Sequence, residues 1–337
     1  MDERQSAVAN LVTPSPWSGR RVLVTGASGI VGSWLTSRLV DEGAYVVALV
    51  LDADHRSELF FSRTIDRVTT VNGRLEEYQD LERAVVVHEV DSVVHLGAQS
   101  LVGAAFRAPY LTMETNVRGT YNLLEVCRCH PELVRRIVIA SSDKSYGALQ
   151  RPPYTEDMPP AGRHPYDLSK ACADLIAQGY ASTYELPVAI ARCGNIYGGG
   201  DFHWSRVVPG TIRSLLHGER PVLRSDGSPT RDYLHVDDVV DAYLLLCDRS
   251  EQPDVRGCPF NFGAGRPYSV SEIVDLLRRL TGREDLEPVI LDSARSEIQS
   301  QYLDASRAEL VLGWRPTIDL ETGLARTVAW YSEYFAR

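Results

Sequence analysis

The chain has 337 residues, of which 44% are hydrophobic and 24% are charged, a composition and length that suit one large α/β domain with a smaller lobe. Its net charge of -10 argues against a nucleic-acid partner, because nucleic-acid-binding proteins present basic surfaces to phosphate. No long apolar run predicts a membrane span, and the first residues lack the basic and then apolar order of a signal peptide. We therefore expect a cytoplasmic protein without a membrane segment.

The six cysteines and eight histidines are scattered along the chain without the spacing of metal ligands. Cys127 and Cys129 lie two residues apart on a predicted helix, so their side chains point to different faces. The sequence therefore predicts free thiols and no metal site.

Residues 1–19 are polar and predict a loose leader. The apolar strand Arg21–Thr25 follows, then a glycine turn, Gly26-Ala-Ser-Gly29-Ile-Val-Gly32, and a helix that ends near Gly43. This order of strand, glycine turn and helix is typical of dinucleotide-binding folds, because the glycines allow close approach to a diphosphate and the helix N-terminus offers N–H donors. The predicted cofactor contacts in this turn are Gly26, Ser28, Gly29, Ile30 and Gly32.

The next strand, Tyr45–Leu51, indicates which dinucleotide is bound. An acid at the end of this strand commonly bonds the adenosine ribose and rejects a 2′-phosphate. Asp52 comes slightly late for this role, and Arg56 follows it. The sequence therefore favours NAD, while Arg56 leaves NADP open.

The central stretch carries the candidate catalytic groups. An apolar strand, Ile137–Ala140, ends in Ser141-Ser142-Asp143-Lys144, and Tyr166-Asp-Leu-Ser-Lys170 follows on a predicted helix. Side chains four residues apart share one helix face, which places Lys170 beside Tyr166. A tyrosinate base at neutral pH needs a pKa shift of about 3 units, or roughly 4 kcal/mol, which Lys170 and a positively charged nicotinamide would supply together.

Later segments predict the binding of a second phosphorylated molecule. The strand Leu186–Arg192 leads into a glycine-rich loop around Gly198–Gly200, and this loop lets a polyphosphate approach the backbone. Arg231 is suited to a bidentate contact with a diphosphate. The strand-like Pro259–Phe262 is expected to return to the first domain.

Nearly the whole chain resembles the extended short-chain dehydrogenase/reductases, the family of NAD-dependent nucleotide-sugar epimerases and dehydratases. The resemblance rests on the glycine turn, His95-Leu-Gly-Ala-Gln99, the Tyr166 and Lys170 motif, Arg231-Asp-Tyr-Leu-His235 and the tail around Gly313 and Trp314. The chain departs from the family at Gly73-Arg74-Leu75, where Asp-Leu or Asp-Ile is usual.

This resemblance implies a Rossmann-type doubly wound parallel sheet with a smaller C-terminal substrate-binding lobe. The dinucleotide domain would comprise residues 20–194, to which 231–262 returns, and the nucleotide-sugar lobe residues 195–230 and 263–337. Leu75, Leu96 and Ala98 would line the cofactor, together with Asp52, Tyr166 and Lys170. The implied substrate contacts are Gln99, Asn195, Arg206 and Arg231. A homodimer is also implied.

The loop Gly198–Pro209 resembles that of CDP-glucose 4,6-dehydratases in particular, whereas Asp143-Lys144 after Ser142 resembles both these enzymes and some dehydratases of N-acetylated sugars. The implied reaction begins with oxidation at C4 of the sugar, with Tyr166 taking the hydroxyl proton and Ser142 holding the oxygen. Asp143 would then protonate the departing C6 hydroxyl, and Lys144 would act at C5 or stabilise the enolate. A C4 epimerase remains the alternative, followed by a 4-ketosugar reductase and a non-catalytic cofactor-binding protein; Asp143 and Lys144 would form a local ion pair if they are only structural.

Overall fold

The computed structural model describes residues 15–52, 54–148, 152–293 and 298–337. In chain order the strands are β1 Arg21–Thr25, β2 Tyr45–Val50, β3 Thr69–Asn72, β4 Ser92–His95, β5 Arg136–Ala140, β6 Val188–Cys193, β7 Asn195–Tyr197, β8 Val222–Leu223, β9 Thr230–His235, β10 Pro259–Phe262, β11 Pro267–Ser269, β12 Val289–Ile290 and β13 Ser300–Gln301. The α-helices are α1 Ile30–Asp41, α2 Glu58–Phe61, α3 Tyr78–Val87, α4 Val102–Arg107, α5 Pro109–Met113, α6 Gly119–Cys129, α7 Pro165–Tyr184, α8 Val207–Leu216, α9 Val236–Asp248, α10 Val270–Leu280 and α11 Leu320–Ala336.

Short helical turns of other types join some of these elements. Asp143–Tyr146 forms a 3-10 turn after β5, and Thr64–Arg67 forms another before β3. The helix predicted from Tyr110 to Cys129 is α5 and α6 joined by a π-helical turn at Glu114–Arg118.

A sheet of seven parallel strands organises the described residues, in the order β10-β6-β5-β4-β1-β2-β3. Its strands are runs of Val, Ile, Leu and Ala, as expected where helices cover both faces of a parallel sheet. Helices α1 and α9 bury apolar side chains against one face, and α3, α6 and α7 against the other. The Rossmann-type fold predicted from the sequence is confirmed.

A second, smaller sheet is centred on β9, which pairs with β7, β11 and β13. Helices α8, α10 and α11 surround a separate apolar cluster beside it. Within residues 231–262, β9 belongs to this second sheet, whereas α9 packs on the large sheet and β10 pairs with β6. The domain boundaries drawn from the sequence stay a prediction.

The start of the described chain differs from the loose leader predicted over residues 1–19. Residues 1–14 lie outside the described residues. Trp17 is buried in the core, and the Ser15 hydroxyl donates a hydrogen bond to the Glu42 carboxylate at 2.6 Å. The leader prediction is therefore wrong for residues 15–19, because the polar composition of this segment concealed one large aromatic anchor.

The parallel arrangement brings the carboxyl ends of β1, β4, β5 and β6 to one edge of the sheet. The candidate residues follow these strands, so the topology collects them at that edge. Among the described residues, no helix has both the length and the apolar character needed to cross a membrane.

Candidate functional site

The turn between β1 and α1 has the close backbone packing and the helix N-terminus that an anion site requires. Gly26 has φ of +70°, and a Cβ added there would lie 2.7 Å from the Gly97 nitrogen. A Cβ at Gly32 would collide with the Gly26 carbonyl oxygen. Gly29 caps α1 without a side-chain hydrogen bond, and the first turn holds no acid. The N–H groups of this turn therefore fit the diphosphate of a dinucleotide, which is where Gly26, Ser28, Gly29, Ile30 and Gly32 were predicted to act.

The end of β4 is packed rather than reactive. His95 lies buried between the hydroxyls of Thr25 and Thr120, at 2.7 and 3.1 Å, and burial lowers its pKa to about 3. This histidine is therefore neutral at physiological pH. Leu75 is buried and would obstruct a Cβ at Gly97, so its side chain lies against the turn that carries Leu96 and Ala98.

Asp52 and Arg56 lie beyond the end of β2. Asp52 is exposed. The Arg56 guanidinium donates from Nε and Nη2 to the two carboxylate oxygens of Asp54, each at 2.9 Å, and lies 5.5 Å from the centre of the Phe202 ring. This bidentate pair lowers the pKa of the Asp54 carboxyl. Arg56 is thus already paired with a carboxylate.

Helix α7 contacts three consecutive residues at the end of β5 through side chains spaced four apart. Lys170 Nζ donates to the Ala140 carbonyl oxygen at 2.8 Å, and Asp174 Oδ2 accepts from the Ser141 hydroxyl at 2.6 Å. The Tyr166 side chain forms a hydrogen bond with the Ser142 side chain. Positions 166, 170 and 174 therefore fasten one face of α7 to the strand end, as their helical spacing predicts.

The pKa values of Tyr166 and Lys170 differ from those expected if Lys170 alone converted Tyr166 to a tyrosinate. Burial raises the pKa of Tyr166 to about 12, although the hydrogen bond with Ser142 acts in the opposite direction. Burial also lowers the pKa of Lys170 to about 8. Tyr166 is therefore protonated at neutral pH in the protein alone, and a tyrosinate needs a further positive charge beside it.

Asp143 and Lys144 form an ion pair at the start of the 3-10 turn. Lys144 Nζ lies 3.0 Å from Asp143 Oδ2, with only 3% of the Asp143 side chain and 19% of the Lys144 side chain exposed. A third residue completes the group: the buried Gln301 accepts from Lys144 Nζ and donates to the Asp143 carbonyl oxygen. No motif marks Gln301, which lies 157 residues from Lys144 along the chain.

The predicted substrate residues surround the same edge. Arg206 donates to Asp201 Oδ2 at 2.9 Å and to the Ser100 hydroxyl at 3.2 Å, which ties the glycine-rich loop to the loop after β4. Asn195 begins β7, one residue beyond the end of β6. Arg231, on β9, is buried and donates to the Thr230 carbonyl oxygen at 2.8 Å. The Gln99 side chain accepts from the Leu101 nitrogen at 2.6 Å and so shapes its own loop.

A buried polar network that the sequence analysis missed lies behind this edge. Arg192 of β6 donates from Nε and Nη2 to both oxygens of Asp174 at 2.8 and 2.9 Å. Its Nη1 donates to the Tyr146 hydroxyl at 2.9 Å, and that hydroxyl donates to Asn261 Oδ1 at 2.8 Å. The network joins α7, β6, the 3-10 turn and β10. In the described part of the chain, no cluster of three or more His, Cys, Asp or Glu side chains is arranged to hold a metal ion.

Comparison with known proteins agrees with this geometry. The family model described as GDP-mannose 4,6 dehydratase matches residues 23–327. A CDP-glucose 4,6-dehydratase of Salmonella typhimurium is 31% identical over 94% of this chain and 92% of its own length.

Two solved structures share the fold along nearly their full length. A UDP-glucose 4-epimerase of Thermotoga maritima, solved with UDP-glucose, has a TM-score of 0.86 and 28% identity over 94% of this chain and 99% of its own. A dTDP-glucose 4,6-dehydratase of Streptomyces venezuelae, solved with NAD, has a TM-score of 0.84 and 30% identity over 93% and 97% of the two chains. The predicted family is thus confirmed: the chain belongs to the GDP-mannose 4,6 dehydratase family, enzymes of the extended short-chain dehydrogenase/reductase type that include nucleotide-sugar 4,6-dehydratases and epimerases.

Proposed function

We propose that the protein is a nucleotide-diphosphate-hexose 4,6-dehydratase that forms a 4-keto-6-deoxyhexose. The observation that carries this proposal is the Asp143 and Lys144 pair, which lies next to Ser142 and is only slightly exposed. An epimerase needs only the oxidation and its reversal at C4. Loss of water needs an additional acid and base beside the sugar, and this pair provides both.

The cofactor of the proposal is NAD, which when bound accepts a hydride from C4 and returns it to C6. The glycine turn would hold its diphosphate, Asp52 its adenosine ribose, and Leu75, Leu96 and Ala98 would line it. The pairing of Arg56 with Asp54 supports NAD over NADP, because a 2′-phosphate would have to compete with a carboxylate for this guanidinium. Net consumption of added NADPH would instead indicate a 4-ketosugar reductase.

The protein groups then act in sequence on the sugar. Ser142 holds the C4 oxygen and Tyr166 takes the hydroxyl proton. Because burial, followed by the charges of Asp143 and Asp167, raises the pKa of Tyr166 to about 12, this step would depend on Lys170 and on the positive charge of the bound cofactor. The resulting ketone acidifies the C5 proton, so that Asp143 and Lys144 can remove water across C5 and C6.

The substrate part of the proposal is a nucleotide-diphosphate hexose similar to CDP-glucose. Arg206 and Arg231 would neutralise the diphosphate, and Asn195 and Gln99 would contact the same molecule. Arg206 supports this placement because it donates to the Ser100 hydroxyl at 3.2 Å, in the loop after β4 that also carries Gln99. The 31% identity to the Salmonella CDP-glucose 4,6-dehydratase supports a nucleotide-diphosphate hexose as the substrate.

Mass spectrometry tests this proposal directly. The protein is incubated with NAD and with CDP-, GDP-, UDP- and dTDP-hexoses in turn. Loss of one water from one of them is the expected result, and the accepted nucleotide identifies the substrate. An unchanged mass with a new isomer in the NMR spectrum would contradict the proposal and favour a C4 epimerase, which the structural likeness to the Thermotoga enzyme also supports. A protein that binds NAD but changes none of these sugars would be a non-catalytic binding protein.

We also propose a homodimer that buries an exposed apolar surface on α4, α5 and α7. These helices pack together, and their exposed apolar side chains include Phe106, Tyr110, Leu111, Leu168 and Leu175. Several exposed apolar side chains on neighbouring helices are typical of protein contacts. Analytical ultracentrifugation should give a dimer for the wild type and a monomer for Tyr110→Glu. Leu310→Glu, at a side chain that is 85% exposed elsewhere, is the control and should remain dimeric. A monomeric wild type would refute the dimer.

A further inference from the structure

His95 lies in the middle of a buried set of hydrogen bonds, which we call the His95 network. Its Nδ1 lies 2.7 Å from the Thr25 hydroxyl oxygen, and its Nε2 lies 3.1 Å from the Thr120 hydroxyl oxygen. None of the three side chains is more than 3% exposed, so bulk water does not compete for these contacts. Each ring nitrogen therefore has a protein partner, and the direction of both hydrogen bonds depends on which nitrogen carries the proton.

The two threonine hydroxyls assign that proton to Nε2. The Thr120 hydroxyl donates its hydrogen to the Asn116 carbonyl oxygen at 2.7 Å, because a carbonyl oxygen can only accept. The Thr120 oxygen must therefore accept from His95 Nε2–H. Burial lowers the pKa of His95 to about 3, so the ring is neutral and Nδ1 carries no proton. Nδ1 then accepts from the Thr25 hydroxyl, whose oxygen accepts in turn from the Gly97 nitrogen at 3.1 Å.

One end of the His95 network lies in the two turns that are predicted to hold the cofactor. Thr25 is the last residue of β1 and directly precedes Gly26 of the glycine turn. Gly97, which donates to Thr25, lies in the turn after β4, and its nitrogen would be only 2.7 Å from a Cβ added at Gly26. His95 therefore fixes the Thr25 hydroxyl in the orientation that holds these two turns against each other.

The other end of the network reaches the helix of Tyr166. Asn116, whose carbonyl oxygen accepts from Thr120, lies in the π-helical turn between α5 and α6. Its side-chain nitrogen donates to the Ser169 hydroxyl at 2.9 Å, and that hydroxyl donates to the Tyr166 carbonyl oxygen at 2.7 Å. Its side-chain oxygen accepts from the Gln99 nitrogen at 2.7 Å. The network thus connects the cofactor turns to α7 and to the loop of Gln99.

We propose that His95 is a positioning residue for the first oxidation: as the Nε2–H tautomer, it joins the turns that would hold NAD to the helix that carries Tyr166. Hydride transfer needs the cofactor and the catalytic tyrosine aligned on one sugar carbon, and a misplacement of about 1 Å can cost about a hundredfold in rate. Both ring nitrogens are engaged, so the imidazole itself transfers no proton. This inference rests on the oxidation step of the proposed function, which a dehydratase and a C4 epimerase share.

Nitrogen NMR of protein that carries isotope-labelled histidine tests the tautomer directly. The signals of His95 are those that disappear in the spectrum of His95→Asn. At neutral pH we expect one protonated and one bare nitrogen in this ring, with the proton on Nε2. A proton on Nδ1, or on both nitrogens, would overturn the assignment.

A matched pair of threonine variants tests the link to the catalytic helix. Thr120→Val leaves His95 Nε2–H buried without an acceptor and should lower the single-turnover rate of nicotinamide reduction with the accepted hexose about ten- to a hundredfold. Thr112→Val is the control, because Thr112 is equally buried and its hydroxyl also bonds a carbonyl oxygen four residues earlier, that of Ala108 at 3.0 Å. This control should keep the wild-type rate. Thermal melts verify that both variants are folded.

Two substitutions of the ring test the link to the cofactor turns. His95→Leu removes both ring contacts and should bind NAD about tenfold more weakly in calorimetry, as expected when buried hydrogen-bonding groups lose their partner. His95→Gln keeps an amide donor for Thr120, so its rate of nicotinamide reduction should exceed that of His95→Leu. A purely structural histidine would lower the melting temperature of His95→Leu but leave its NAD affinity unchanged.

NAD binding and the NMR spectrum need no sugar, so these two measurements test His95 separately from the proposed function. Unchanged NAD affinity of folded His95→Leu would overturn the link to the cofactor turns. Nicotinamide reduction by folded Thr120→Val at the wild-type rate would overturn the link to Tyr166. A wild type that reduces no nicotinamide with any hexose would overturn the proposed function, and the role of His95 in the oxidation with it.

Discussion

Replacing Arg192 by methionine would leave the Asp174 carboxylate in the core without its cation. The two side chains are 1% and 0% exposed, and two hydrogen bonds of 2.8 and 2.9 Å join them. Removing one partner of a buried ion pair typically costs 3–5 kcal/mol, because the other charge stays desolvated. Asp174 keeps hydrogen bonds from the Ser141 hydroxyl and from Gln178 Nε2, so we expect about 3 kcal/mol.

Urea denaturation followed by circular dichroism measures this loss as a change in the free energy of unfolding. The control is Arg67→Met: Arg67 pairs with Asp41 at 2.7 Å, but the side chains are 52% and 59% exposed, so its removal should cost about 0–1 kcal/mol. Because the cost comes from the unpaired charge, adding Asp174→Asn to Arg192→Met should recover part of the stability. A cost below about 1 kcal/mol for Arg192→Met, or a double variant less stable than that single one, would refute the reasoning.

Three further predictions concern the site and its supports. Tyr166→Phe should abolish the first oxidation while the protein still folds. Mixing this variant with NAD and the accepted hexose should therefore give no nicotinamide reduction. Reduction at the wild-type rate would contradict Tyr166 as the base. Burial raises the pKa of Glu58 from 4.5 to about 6, so folding favours its protonated form and stability falls as the pH rises between these values. Glu58→Gln keeps an acceptor for Trp330. This variant should therefore raise the free energy of unfolding by up to about 2 kcal/mol above pH 6 and by almost nothing below pH 4.5. An equal gain at both pH values would exclude titration of Glu58 as the cause. Gly32→Ala should abolish NAD binding in calorimetry, because the added methyl group collides with the Gly26 carbonyl oxygen, and unchanged binding would contradict the predicted role of this turn.

The sequence alone predicted the strands, turns and helices that depend on residues close together in the chain. The strand Arg21–Thr25 has the same bounds in the sequence analysis and in the structure, and the glycine turn is followed by α1. Tyr166 and Lys170 lie on one helix that follows β5 in the chain, and Lys170 contacts the end of that strand. Hydrophobic runs, glycines and i,i+4 spacing are short-range signals, because backbone conformation and helix geometry fix them within a few residues.

Tertiary structure alone decided which distant side chains meet at this edge. Gln301 reaches Lys144 only because β13 pairs with β9, and Arg192 meets Asp174 only because β6 lies beside β5 under α7. A single buried amide or arginine has no periodic signature in the sequence, and its partners depend on which strands become neighbours. The same is true of Trp17, whose polar surroundings predicted a leader although the aromatic ring is buried. The sequence thus determined the elements and the placement of Tyr166 and Lys170 on one helix, while long-range packing determined which distant side chains contact them.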